Sequence, residues 1–298
     1  KISNELFNMV YENKNEKYSK EGFDAINKLF KGKMTHYDPN SLNLFSNKNQ
    51  TNLDSFYKEL GWERSKKICT VFSHNLFDGN YNNDWRIFRD NLTWLRETLH
   101  LIKDSKQNIN WIIKEHPSEY GKKKASTSTF EEFEKIIGHD VKNIKFFPNK
   151  FNSRILKDVT NFALTSFGSA GLEYPCFGIP SMVCGDSYYR GFGITIEPNN
   201  PDEYFKNLEN LEKLIQDGLS IDQIKRAKVL FFILTDLIKM DHPLLFEFDI
   251  SRDLNIDSFF KEMTNLIDNY DLENDFFKMN LKNQLVNKSR HLINEKKL

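Results

Sequence analysis

Between Lys66 and Cys184, five short apolar runs alternate with helical or loop segments, and this alternation constrains the fold more than any other feature. The runs lie at 66–73 (KKICTVFS), 109–114 (INWIIK), 144–147, 161–165 (NFALT) and 181–184. Runs this short and this apolar fit strands buried on both faces rather than helices. Between them, Trp85, Phe88, Leu92, Leu95, Leu99 and Ile102 recur at steps of three and four, one stripe of an amphipathic helix over 84–103. Thr129-Phe-Glu-Glu132 reads as a capping box opening a helix at 130–137. Shorter helices are expected at 152–157 and 169–177. Strands joined through helices imply right-handed crossovers and a parallel sheet covered on both faces. The fold class expected is α/β, with a Rossmann-like parallel sheet at 66–200 and helical segments on either side.

Residues 1–65 carry helical spacing at 3–11 and 20–30, then a polar Asn- and Ser-rich stretch at 40–52 that reads as a linker. Asn200-Pro201 opens a further helix that Gly218 closes. Helices are expected at 221–240, halted by Asp241-His242-Pro243, at 256–270, and from 274 toward a polar tail. The domains expected are thus 1–65, 66–200 and 201–298. The chain opens at Lys1 without a methionine, and a fragment of a longer protein is the expectation.

Composition excludes several classes. Lys+Arg and Asp+Glu are balanced at 42 each, which argues against nucleic acid as partner. The run Lys122–Lys124 reads as a solvated loop. No apolar run approaches the ~18 residues of a membrane span, and residues 1–10 lack the apolar core of a signal peptide. Cys69, Cys176 and Cys184 are odd in number and sit in apolar settings, so they read as buried thiols in a reducing compartment. A cytoplasmic location is expected, compatible with peripheral association at the inner face of the membrane or with a larger assembly complex.

Ligands of a parallel α/β sheet bind beyond the carboxyl ends of its strands, so the loops there hold the candidate residues. His116-Pro117 directly follows the second run. Proline restricts the residue before it to extended backbone, and an imidazole so placed either donates to a phosphate oxygen or caps a turn. Thr165-Ser-Phe-Gly-Ser-Ala-Gly171 sets small residues between a buried strand and a helix start. Backbone amides there can meet an anion, with Gly168 and Gly171 permitting close approach and Ser166 and Ser169 offering hydroxyls; Ser169 also suits an N-cap. The spacing is neither that of a Walker loop nor Gly-x-Gly-x-x-Gly. Glu173 either favours the helix start or accepts from ribose hydroxyls. Residues 185–193 (GDSYYRGFG) suit a loop closing over a ligand, in which Tyr188 supplies a ring and Arg190 a planar fork for phosphate or carboxylate; an ordinary surface loop is the alternative. His74 and Asp78, after the first run, are candidates for general base chemistry or a solvated pair. No metal-ligand spacing occurs, and no metal or other cofactor is expected to be required.

Four blocks, Lys114-Glu-His-Pro117, Thr165–Glu173, Phe177-Gly-Ile-Pro180 and Gly185–Thr195, occur in an order that resembles the bacterial capsule polysaccharide biosynthesis transferases, which include the Kdo transferases of capsule linker assembly. The resemblance covers roughly 66–198. It implies a GT-B glycosyltransferase of two Rossmann-like domains, with a nucleotide sugar, CMP-linked by this likeness, as donor and a surface or capsule glycan as acceptor. By the same likeness His116, Ser166, Gly168 and Ser169 contact the donor and Glu173 its nucleotide, with Pro117, Tyr188 and Arg190 around them. Residues 1–65 are too few for a complete N-terminal Rossmann domain, where GT-B enzymes commonly carry their base; a remnant of the acceptor-side domain is the expectation. The alternatives are a CDP-polyol phosphotransferase of polymer synthesis and a non-catalytic nucleotide-sugar-binding module of a larger capsule enzyme.

Overall fold

The apolar runs form five strands: β1 (Lys67–Phe72), β2 (Ile109–Lys114), β3 (Ile144–Phe146), β4 (Phe162–Thr165) and β5 (Ser181–Val183). They pair in parallel in the order β3-β2-β1-β4-β5. Cys69, Val71, Trp111, Ile113, Phe162, Leu164 and Met182 pack into one core on one side, while Ile68, Thr70, Ile112, Ala163 and Val183 are buried as well. Both faces are covered, as a sheet of continuous apolar runs requires. This is a computed structural model describing residues 2–33, 51–77, 86–119, 126–139, 141–239, 256–271, 273–287 and 293. Asp78, Trp85, Lys122–Lys124, Asp241-His242-Pro243 and most of the 40–52 stretch lie outside the described residues.

From β1 the chain runs outward to β2 and β3, then returns to the far side of β1 for β4 and β5. That reversal makes the crevice between β1 and β4 the switch point where ligands of such sheets bind. The register aligns the strand ends: Phe72 pairs with Lys114 on one side and Thr165 on the other, and Thr165 with Val183. Phe72, Lys114 and Thr165 therefore stand abreast along one edge.

Several helices differ from expectation for local reasons. α1 (Asn4–Phe30) joins the two expected helical segments across a kink at Lys14, and α2 (Leu53–Leu60) follows with Asn52 as cap and Gly61 left-handed at its end. α3 (Asn91–Asp104) starts later than the apolar stripe suggested. Asp90 is extended and its carboxylate accepts the Thr93 amide at 2.7 Å, which fixes the first turn there. Phe88 still reaches the core, edge-on to Tyr204. The capping box of α4 (Thr129–Ile136) is Ser128 with Glu131, one residue before the expected pair. Thr129 instead meets Ser73 through its hydroxyl at 2.8 Å, and Glu132 is held by Nε and Nη2 of Arg96.

The stretch at 153–159 is a 3-10 turn (Ser153–Ile155) leading into α5 (Leu156–Val159). The helix expected at 169–177 is divided into α6 (Ala170–Glu173) and a 3-10 turn (Pro175–Phe177). Pro175 has no N–H to give to the Gly171 carbonyl, and the Ser181 hydroxyl donates to that carbonyl instead, at 2.7 Å. α7 (Pro201–Glu209) and α8 (Leu211–Asp217) are separated at Asn210, whose side chain donates to the Lys206 carbonyl. α9 (Ile221–Phe232) packs along α1. Gly22 makes this possible, because a Cβ there would lie 1.9 Å from the Lys228 carbonyl oxygen. Tyr18 stacks on Phe232 at 4.6 Å.

The chain divides into two compact units, Lys1–Phe232 and Ile233–Leu298. The first holds the sheet together with α1 and α9. The second holds a π-helical turn (Ile233–Leu237), α10 (Ile256–Asp268) and α11 (Phe276–Val286), the last capped by Asp275. Among the described residues no helix is long and apolar enough to cross a membrane. Cys69, Cys176 and Cys184 are buried thiols, each pushed well above the ordinary thiol range by desolvation.

Candidate functional site

Beyond the carboxyl ends of β1, β2 and β4 lies a cavity of about 330 Å³. Each strand contributes the residues that follow it. β1 leads to Ser73 and His74, β2 to Glu115, His116 and Pro117, and β4 to Phe167, Gly168 and Ser169. Glu173 and Tyr174 line it from α6, Phe30 from the end of α1, Ser153 from the 3-10 turn, and Tyr188 from the loop after β5.

Hydrogen bonds join these loops. Ser118 donates to His116 Nδ1 through its backbone N–H at 3.2 Å, and its Oγ lies 2.7 Å from the same nitrogen. A ring nitrogen that accepts an amide carries no proton, so in neutral His116 the proton sits on Nε2, the donating nitrogen of the ring. Asn75 Nδ2 donates to Ser118 Oγ, Asn91 Nδ2 donates to the Asn75 carbonyl, and Ser166 Oγ donates to Asn91 Oδ1, at 2.9, 3.1 and 2.9 Å. The Glu119 carboxylate accepts the amides of Leu76 and Thr129, tying the β1 loop to the start of α4. His74 faces the Asn75 carbonyl through Nδ1 at 3.3 Å. A carbonyl only accepts, so in neutral His74 the proton sits on Nδ1 and Nε2 is the basic atom. The two imidazoles stack at 5.3 Å, and His74 rests on Phe167 at 4.0 Å.

Six candidate residues thus converge on one cavity with His74: His116, Pro117, Gly168, Ser169, Glu173 and Tyr188. Ser169 makes no capping hydrogen bond to α6. Glu173 is only 7% exposed. Two candidates are placed elsewhere. Ser166 does not line the cavity, because its hydroxyl is spent on Asn91 and its carbonyl accepts the amides of Cys184 and Gly185. Arg190 lies beside Glu197, 3.8 Å away, and not on the cavity. Glu197 also accepts from the Gly191 amide and the Thr195 hydroxyl. With Tyr189, Phe192 and Ile194 buried, the loop at 185–197 is a packed turn rather than a loose closing flap, and only Tyr188 reaches the cavity. Gly171 serves packing too: a Cβ there would sit 2.1 Å from the Tyr189 hydroxyl, which donates to the Gly168 carbonyl. Asp78 lies outside the described residues.

Lys114, Glu115, Ser118 and Tyr174 were not singled out by residue pattern. Lys114 is 5% exposed; its ammonium donates to the Glu115 carbonyl at 2.9 Å and lies 5.4 Å over the Phe147 ring. Burial pulls its pKa down from 10.5 to about 8, against the opposing pull of the Glu115 and Glu119 carboxylates. Burial likewise raises the Glu115 carboxyl, against Lys114. The Tyr174 phenol is pushed well above its ordinary value by burial and then by the Glu173 carboxylate. The one signal in the sequence is that an otherwise apolar strand ends on a charged pair directly before His116. Among the described residues no group of three or more His, Cys, Asp or Glu side chains is placed to hold a metal ion.

No family model and no curated protein matches the chain. Solved structures resemble it at low identity. A Thermosulfurimonas dismutans KpsC, a beta Kdo 2,4 transferase, is 12% identical over 75% of this chain and 56% of its own, with a TM-score of 0.45. S. aureus MnaA, solved with UDP, is 16% identical over 59% of this chain and 45% of its own, at 0.39. A Rickettsia africae glycosyltransferase is 11% identical over 82% of this chain and 55% of its own, at 0.39. The chain spans about half the length of these solved chains. Likenesses this distant say nothing of the chemistry.

Proposed function

We propose that the unit holding the sheet binds a nucleotide sugar and transfers its sugar to a glycan acceptor. The observation that carries this reading is His116: Ser118 occupies Nδ1, so Nε2–H is the donor at a cavity that also holds Ser169 and Gly168. Imidazole N–H, serine hydroxyl and loop amides are donors that suit phosphate oxygens. In the transfer, the acceptor hydroxyl attacks the anomeric carbon and passes its proton to a base. The bond from that carbon to the phosphate oxygen breaks, and the nucleotide leaves with the negative charge. His116 and the 167–169 turn stabilise that charge as it develops. His74, with Nε2 basic, is the base this unit offers; Glu173 accepts from ribose hydroxyls. A CMP-linked acidic sugar such as Kdo is the donor we propose, on the strength of the ordered sequence blocks, and a surface or capsule glycan is the acceptor.

The test is product analysis with a CMP-linked acidic sugar against CDP-glycerol. Sugar transfer or donor hydrolysis from the first, abolished in His116→Ala, supports the reading. Turnover of CDP-glycerol alone points to polyol phosphate transfer, and nucleotide binding with neither turnover makes the unit a binding module.

A further inference from the structure

Asn91 does not line the cavity, yet hydrogen bonds from the loops that build it meet on its side chain. We propose that Asn91 is a positioning residue, which sets the His116 loop and the 166–169 turn against one another for the donor's phosphate. The inference rests on the nucleotide-sugar reading above and adds to it a residue outside the cavity. Asn91 is the first residue of α3 and is 2% exposed. Its backbone is fixed by the turn that Asp90 caps. The orientation of its amide follows from its partners. The Asn75 carbonyl only accepts, so the atom 3.1 Å from it is Nδ2. Oδ1 then faces Ser166 Oγ at 2.9 Å, and that hydroxyl donates.

One end of the amide thus holds the loop after β1, and the other holds the turn after β4. From the first end the line continues through the Asn75 side chain. Its Oδ1 accepts the Phe77 amide and its Nδ2 donates to Ser118 Oγ, and Ser118 faces Nδ1 of His116. From the second end, the Ser166 carbonyl accepts the amides of Cys184 and Gly185 and ties in the end of β5. Loops after four of the five strands are therefore joined through one buried amide. His116 stands at one end of this line, with Gly168 and Ser169 at the other. Donors aimed at a developing charge are effective when they are held in place before that charge appears. A buried network with partners at both ends supplies that fixity. Ser166 gains a role in the same step: its hydroxyl serves the donor through Asn91 and not by contact.

The experiment is calorimetric titration of the whole chain with CMP and with cytidine, in wild type, Asn91→Leu, Ser166→Ala and the double variant. Leucine keeps the volume of Asn91 and removes both ends of the amide. Asn91→Leu is expected to bind CMP about tenfold or more weakly, and Ser166→Ala about fivefold more weakly. Cytidine, which has no phosphate, binds all four proteins alike. The double variant is expected to bind CMP within about twofold of Asn91→Leu, because the Ser166 hydroxyl acts through an amide already removed. Asn91→Leu with wild-type CMP affinity overturns the inference while leaving nucleotide binding in place. An equal loss for cytidine overturns it as well, since that marks a general loosening of the fold. So does a double variant whose loss is the product of the two single losses. Should Asn91→Leu fail to fold, a folded Ser166→Ala protein with wild-type CMP affinity overturns it. A wild type that binds none of CMP, CDP, UDP and GDP overturns the nucleotide-sugar reading and this inference together.

Discussion

Ser118 turns both its backbone N–H and its hydroxyl toward Nδ1 of His116, at 3.2 and 2.7 Å, and this pairing decides which ring nitrogen is the donor. Removing the donor itself has the larger effect. His116→Ala is expected to leave the fold intact and to lower turnover by about a hundredfold or more, the ~3 kcal/mol typical of a lost preorganised donor. Thermal denaturation with a turnover assay checks both halves. Unchanged turnover in a folded His116→Ala protein would sink the assignment.

Ser118→Ala keeps the amide contact and loses the hydroxyl, together with the link through Asn75 to the β1 loop. Its expected cost is smaller, about fivefold in nucleotide affinity, in line with one neutral hydrogen bond of ~1 kcal/mol. Unchanged nucleotide affinity in a folded Ser118→Ala protein would contradict a role for that hydroxyl in holding the ring.

Lys114 makes a separate prediction about stability. Its folded pKa of about 8 lies below the ordinary 10.5, so between these values the unfolded chain binds more protons and stability rises with pH. Below pH 8 the buried ammonium costs on the order of 3 kcal/mol relative to its solvated form. Lys114→Met is therefore expected to be more stable than wild type at pH 7, with the gap narrowing toward pH 9.5. Urea denaturation at the two pH values measures it, and taking the difference between the two proteins removes the tyrosines and other groups from the comparison. A gap that widens with pH would contradict the assignment.

Strand positions were legible because a parallel sheet buries both faces and leaves runs dominated by apolar residues, such as 111–113 within β2. Helix boundaries were less so. The stripe from Trp85 to Ile102 is continuous in sequence, but Asp90 captures the Thr93 amide and starts α3 within it. The segment 127–132 reads TSTFEE, and two overlapping pairs satisfy the capping-box pattern. Only the tertiary pairing of Glu132 with Arg96 leaves Ser128 and Glu131 as the box. His116 and Ser169 were singled out as residues of loops after strands, and both line the cavity. Ser166 and Arg190 obeyed the same rule in sequence and failed it in space, since Asn91 and Glu197 claim them. Lys114, though part of the block Lys114-Glu-His-Pro117, was given no role, because a lysine at a strand end ordinarily reaches solvent.

The Arg96–Glu132 pair carries a testable electrostatic consequence. Glu132 is buried, and its carboxyl is held below the usual range first by the Arg96 guanidinium and also by the Thr127 hydroxyl. Arg96→Met leaves the Glu132 carboxylate with the Thr127 hydroxyl and, since the Arg96 side chain is itself partly in solvent, is expected to cost about 1–2 kcal/mol at pH 7. A carboxyl with a lowered folded pKa stabilises above its unfolded value and loses that contribution as pH falls through the folded one. The cost of Arg96→Met should therefore shrink in acid, which denaturation at pH 7 and pH 4 compares directly.

Gly171→Ala tests the packing under the 166–171 turn. The added methyl would meet the Tyr189 ring and hydroxyl at 2.1–2.9 Å. Overpacking of this kind costs typically ~1–3 kcal/mol, and the shift of Tyr189 would withdraw its hydrogen bond from Gly168. A lowered melting temperature with weakened nucleotide binding is expected; an unchanged melting temperature would show that Tyr189 moves aside freely.

The central claim is that the cavity at the ends of β1, β2 and β4 is a nucleotide site. The measurement that meets it most directly is a thermal-shift series of the wild type and His116→Ala with CMP, CDP, UDP and GDP, because a ligand that binds only the folded state raises its stability by mass action. The account predicts a saturable rise with CMP in the wild type that is lost or much reduced in His116→Ala. No rise with any of the four nucleotides, or an equal rise in both proteins, would contradict it.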